Sequence, residues 1–117
     1  MKWMVDREGT ASLNEQIRWS VLSAIRSGDL SPGERLPPAR QVAWALRVNV
    51  HTVLKAYADL QASGVVEVRR PGGTVVRGDF AELVLEREAR LREAARLACD
   101  GGVTSGRALE ILQEVWK

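Results

Sequence analysis

Covalent chemistry has little to work with in this chain. It carries one histidine, His51, and one cysteine, Cys99, in different segments, with no carboxylates clustered in a cleft-forming context. A nucleophile needs a base within hydrogen-bond reach, and a metal needs several ligands converging on one point. Neither set assembles here, so no enzyme activity, metal or cofactor is expected. The polar residues suit a polyanion better. His51, Thr52, Lys55 and Asp59 fall near the start or along one stripe of a short segment, a polar face that a major groove could accept. Arg69-Arg70 stands beside Pro71-Gly72-Gly73. Two arginines on a compact glycine-containing tip are suited to a minor groove, though a solvated turn has the same composition. This tip is no phosphate-cradling P-loop, because neither Gly-Lys-Ser/Thr nor a following helix accompanies it.

The elements that must position these residues lie between Leu36 and Leu60, LPPARQVAWALRVNVHTVLKAYADL. The spacing predicts two short helices joined by a tight turn at Arg47 to Asn49. Val42, Ala45 and Leu46 are expected on the inner face of the first, and Val53, Ala56, Tyr57 and Leu60 on that of the second. Pro38 suits a first helical position, where its missing amide would have had no partner. Asn49 is placed to cap the following helix by accepting an amide from His51 or Thr52, and Gly64 closes it. This is a helix-turn-helix.

An earlier helix starts at Ser12, where Ser12-Leu13-Asn14-Glu15 reads as a capping box. Leu13, Ile17, Val21, Ala24 and Ile25 form its apolar face, and Gly28 ends it as a left-handed cap. Val65, Val66 and Val68, then Thr74, Val75 and Val76, are two β-branched runs around the basic tip, hence a hairpin. The expected fold is mainly α with a small β-hairpin: a winged helix-turn-helix over residues 1–78, followed by a two-helix segment over 79–117. In that segment Phe80, Leu83, Val84, Leu91 and later alanines and leucines fall on a roughly heptad stripe, broken at Asp100-Gly101-Gly102. Thr104 or Ser105 caps a final helix with Leu109, Leu112 and Trp116 on one side. Two such amphipathic helices cannot bury these faces on each other alone, so a second copy of the chain is expected against Phe80, Leu91, Leu109, Leu112 and Trp116.

Charge divides the same way. Up to Gly78 there are 11 Lys and Arg against 7 Asp and Glu, and from Asp79 onward 6 against 8. The front half is basic and the back half acidic, although the net charge is only +2. No apolar run approaches a membrane span, the N-terminus lacks the apolar core of a signal peptide, and a single cysteine fits a reducing cytosol. Met1 to Ala11 reads as an arm, with Trp3 available to pack on the body or on a partner chain. Trp19 and Trp44 lie outside the regular apolar stripes, available to a domain junction or a dimer. Tyr57 falls on the inner face, so core packing is its first expectation.

From Leu13 to Val76 the chain resembles the GntR family of bacterial transcription regulators. The residues that carry the resemblance are Gln16-Ile17, Gly28-Asp29-Leu30, Pro32-Gly33-Glu34-Arg35-Leu36-Pro37, Arg40-Gln41-Val42-Ala43, Val48-Asn49 with Thr52-Val53 and Ala56-Tyr57, and Gly64 with Gly73-Thr74-Val75-Val76. The short two-helix tail and the Val-Asn before Thr-Val resemble the YtrA subfamily, small dimeric repressors often of transporter operons. The resemblance implies that Arg40, Asn49, His51, Thr52 and Gly73 approach double-stranded DNA at an operator. Three positions depart from the family pattern: Pro38 replaces a capping serine, Val50 a polar or basic residue, and Leu54 an arginine. Lys55, Arg69 and Arg70 are therefore expected to carry more of the phosphate contact. A small-molecule effector stays open at this point, as does a rival use of the winged helix as a protein-interaction module whose basic tip takes an acidic partner.

Overall fold

The computed structural model describes residues 1–116. It contains α1 (Leu13–Ser27), α2 (Ala39–Leu46), α3 (Val50–Ala62), β1 (Val66–Arg69), β2 (Gly73–Val76), α4 (Phe80–Asp100) and α5 (Ser105–Val115). The chain divides into two compact units, Met1–Phe80 and Ala81–Lys117.

In the first unit, α1 and α2 both pack on α3. The core is Ile17, Val21, Ala24 and Ile25 from α1, Val42 and Ala43 from α2, and Val53, Ala56, Tyr57 and Leu60 from α3. Leu30, Leu36, Val65, Val66 and Val76 close it. Each fully buried branched aliphatic side chain contributes about 1.5–3 kcal/mol by leaving water. Ala45 is exposed and Ala43 takes the inner position expected for it. An eight-residue helix completes only about two turns, so its apolar positions fix its phase poorly.

Local signals set the ends of these helices. Ser12 Oγ accepts the Glu15 amide at 3.3 Å, the serine half of the capping box. Gly28 ends α1 at φ 83°, and Gly64 follows the last turn of α3 with φ 80°. Strands β1 and β2 pair antiparallel with Val66 opposite Val76 and Arg69 opposite Gly73, which leaves Arg70 to Gly72 as the tip. Residues 33–36 run along the open edge of β2. Leu36 N–H donates to Thr74 O at 2.8 Å, Val76 N–H to Glu34 O at 2.9 Å, and Gly33 N–H to Val76 O at 2.8 Å. The wing is thereby tied to the connection between α1 and α2.

The N-terminal arm folds back on the body. Trp3 and Val5 pack against the core, and two buried polar residues of α1 hold the arm's backbone. Met4 N–H donates to Ser20 Oγ at 3.0 Å, and Asp6 N–H donates to Gln16 Oε1 at 2.5 Å. Gln16 Nε2 returns a bond to Asp6 O at 2.8 Å and another to Ala11 O at 2.9 Å. Buried amide and hydroxyl groups are costly unless bonded, and the arm is what satisfies these.

The second unit is a pair of helices. Thr104, one of the two expected caps, starts α5 by accepting the Arg107 amide at 3.2 Å. No described residue of α4 or α5 is buried. No helix among the described residues is long and apolar enough to cross a membrane.

Candidate nucleic-acid interface

The start of α3 is set by Asn49, whose side-chain oxygen accepts the His51 amide at 2.8 Å. This cap uses the oxygen and leaves the NH2 group as a donor. His51 is exposed and Thr52 half-buried, so the first turn of α3 presents imidazole, hydroxyl and amide groups at the positive end of the helix dipole. One turn on, Lys55 is exposed and lies 3.8 Å from Asp59.

Arg40 is exposed in the first turn of α2. With Ala43, Trp44, Ala45, Arg47, Val48 and Val50 it lines an open hollow of about 780 Å³. The start of α2 and the start of α3 therefore share one surface, with two arginines and no carboxylate. Trp44 is 85% exposed within it. The turn reaches this geometry through Arg47, whose φ of 56° is left-handed. A non-glycine residue there costs on the order of 1 kcal/mol, offset in part by its N–H bonds to Ala43 O and Trp44 O.

A second hollow, of about 200 Å³, joins the wing to the helices. It is lined by Arg35, Leu36, Pro37, Pro38, Ala39, Leu54, Tyr57, Gly73 and Thr74. Gly73 has φ 79°, and a Cβ built there would stand 3.1 Å from Arg35 Nε and 3.3 Å from Nη2. Glycine is required for the backbone angle, and the end of the exposed Arg35 side chain lies against it. Tyr57 is core, and its hydroxyl donates to Pro37 O at 2.7 Å, tying α3 to the residue pair that starts α2. Burial pushes that hydroxyl well above the ordinary phenol value, because the phenolate would lose its water.

At the tip Arg69 forms two bonds to Glu67 Oε1, from Nε at 3.0 Å and Nη2 at 2.7 Å. Arg70 is exposed beside it. Among the described residues, Arg35, Arg40 and Arg70 have no carboxylate partner. The pairs at Lys55 and Arg69 are solvent-exposed and worth at most about 1 kcal/mol each, so phosphates can replace their carboxylates.

The structure thus brings Arg40 and the start of α3 together, and Gly73 with the start of α2, while Arg69 ends β1 beside Arg70 at the tip. Arg35 and Trp44 were not singled out for this surface by their local pattern. Arg35 could be found only through its nonlocal approach to Gly73, and Trp44 only through its failure to join the apolar stripe of α2.

In the second unit Leu91, Leu109, Leu112 and Trp116, with Gln113, line an apolar hollow of about 310 Å³. Leu91, Leu109 and Trp116 are exposed there. Phe80, placed on the same stripe by its spacing, instead packs partly against the core of the first unit. Cys99 is an exposed free thiol.

The family model described as bacterial regulatory proteins, gntR family, matches residues 13–76. The chain belongs to this family. A relative of similar length is the HTH-type transcriptional regulator Rv1152 of Mycobacterium tuberculosis, 34% identical over 97% of this chain and 93% of that protein. Among solved structures, YtrA from Sulfolobus acidocaldarius, a GntR-family transcription factor, is 32% identical with a TM-score of 0.63. The match covers 80% of this chain and 97% of that one. The DNA-binding domain of AraR in complex with an operator has a TM-score of 0.55 at 25% identity, covering 65% of this chain and 92% of that one. This GntR chain is a YtrA-like transcription regulator with a winged-helix DNA-binding domain, and it is not an enzyme.

Proposed function

We propose that the chain is a homodimeric, sequence-specific repressor that binds a pseudo-palindromic operator in double-stranded DNA. Residues 1–78 form the DNA-binding domain and residues 79–117 the dimerisation region. The observation that carries this reading is the hollow shared by Arg40, Arg47 and the start of α3, a carboxylate-free basic surface beside a helix end whose polar groups face outward. Asn49, His51 and Thr52 enter the major groove and read base edges. Lys55, Arg35 and Arg40 hold phosphates, and Arg69, Arg70 and Gly73 bring the wing to the flanking minor groove. The AraR domain bound to its operator supports DNA as the partner.

A second copy covers the hollow at Leu91, Leu109, Leu112 and Trp116. An apolar face with nothing buried on it gains most by association, and a two-fold pair of subunits matches a two-fold operator. The two recognition helices then enter successive major grooves about 34 Å apart. Bound over a promoter in the cytoplasm, such a dimer denies the same DNA to polymerase. Arg40→Ala, measured by fluorescence anisotropy on a duplex from the protein's own promoter, tests the DNA face. Leu112→Asp, measured by sedimentation, tests the dimer.

A further inference from the structure

The N-terminal arm crosses to the helix-turn-helix. Arg7 Nη2 donates to Leu46 O at 2.7 Å and to Arg47 O at 2.6 Å, so one guanidinium nitrogen bridges the last carbonyl of α2 and the first of the turn that launches α3. Three features meet at this point. The carbonyls at a helix C-terminus lack intrahelical partners and carry the negative end of the helix dipole, which a cation satisfies. Arg47 holds a left-handed φ of 56° that side-chain-bearing residues resist. The arm itself is anchored, because Gln16 and Ser20 grip its backbone at Met4 and Asp6 on either side of Val5.

We infer that Arg7 is a positioning residue for DNA recognition, holding the left-handed turn at Arg47 and thereby the angle at which α3 leaves α2. The inference rests on the DNA-binding reading proposed above. The arm acts as a strap from α1 to the turn: the buried amide of Gln16 fixes one end, and the Arg7 guanidinium fixes the other. Lysine is a poorer substitute, since the two N–H bonds of Nη2 are held in a fixed plane whereas a compact, strongly hydrated ammonium on a flexible stem is not pre-oriented toward the two carbonyls.

The test is a double-mutant cycle between Arg7 and Arg47, read by anisotropy on a duplex from the protein's own promoter and on a scrambled duplex. Glycine adopts the left-handed turn without strain, so in an Arg47→Gly background the strap has less to hold. Arg7→Ala is expected to weaken specific binding about tenfold in the native background and about twofold or less in the Arg47→Gly background, an interaction of the size found between contacting residues. Binding to the scrambled duplex and the salt slope change little, because Arg7 neutralises no phosphate. Arg7→Lys keeps the charge and is expected to keep most of the loss. Equal losses in both backgrounds, or full rescue by Arg7→Lys, would overturn the inference.

Amide exchange supplies a readout independent of DNA. Arg7→Ala is expected to speed exchange at Arg47 and Val48 about tenfold relative to Val53 in the core, as local opening without global unfolding does. If Arg7→Ala does not fold, Arg7→Lys carries the same comparison. Unchanged exchange at Arg47 and Val48 overturns the inference even where DNA binding is normal. Absence of specific binding by the native chain, together with accelerated exchange, would refute the DNA reading and leave the strap standing.

Discussion

Tyr57→Phe removes one oxygen and is expected to change both the size of the stability and its dependence on pH. The hydroxyl donates to Pro37 O at 2.7 Å, and the side chain is almost fully buried in the core of the first unit. A neutral hydrogen bond contributes about 0.5–1.5 kcal/mol net, and its loss here leaves a half-buried carbonyl without that partner, so the expected cost at neutral pH is about 1 kcal/mol. For a unit of this size that lowers the Tm by about 5 °C.

The pH dependence follows from the raised hydroxyl pKa, whose cause is burial. In the unfolded chain the phenol ionises near its ordinary value of about 10. In the folded chain it stays protonated above that. Over this interval the unfolded state binds fewer protons than the folded state, so stability falls as pH rises, by up to about 1.4 kcal/mol per unit. Below about pH 10 the contribution is fully present. The native chain should therefore be the more stable at neutral pH, and its advantage over Tyr57→Phe should vanish within about one unit above pH 10. Lysines titrate in the same range but are common to both proteins, so the difference isolates Tyr57. The chain has a single tyrosine, so tyrosinate absorbance reports this group alone. Tyrosinate appearing at the ordinary phenol pH while circular dichroism shows an intact fold would refute the reasoning, as would identical pH profiles for the two proteins.

Arg40→Ala should weaken binding to the promoter duplex about tenfold, within the 1–3 kcal/mol expected of a lost arginine contact, with the dimer intact by sedimentation; unchanged affinity removes Arg40 from the interface. Leu112→Asp places a charge in an apolar hollow and should yield monomers at concentrations where the native chain is dimeric. A persisting dimer moves the interface elsewhere. Trp44, 85% exposed beside Arg40, should lose iodide quenching when DNA binds, read as the difference between the native chain and Trp44→Phe. Quenching that survives in the complex means that DNA leaves this hollow open.

The legible parts of the structure were those written in local chemistry. Ser12, Asn49 and Thr104 act on amides two or three residues away, and Gly28 needs only its own backbone angle. The helices of the first unit and the hairpin followed from such signals and from apolar period. Leu91, Leu109, Leu112 and Trp116, picked out by their stripes, line one apolar hollow. What escaped was nonlocal. Gln16 and Ser20 look like solvent-facing residues of α1 until the arm folds over them. Arg7 is one charge among several at the N-terminus, and its carbonyl partners lie about forty residues on. Arg35 stands in a turn whose importance emerges only when Gly73 arrives beneath its guanidinium. The misassigned Ala45 and the placement of Phe80 have a related cause: at the ends and in short helices, period alone does not say which body a side chain meets.

Sequence-specific DNA binding is measured by fluorescence anisotropy of the purified native chain on a duplex from its own promoter and on a scrambled duplex of equal length, across a salt series. Tight binding to the first is expected, with a preference that survives at physiological salt, while both affinities fall steeply as salt rises because arginines and lysines displace counterions. Equal binding to the two duplexes, erased by salt and repeated across other promoters, would contradict sequence-specific binding.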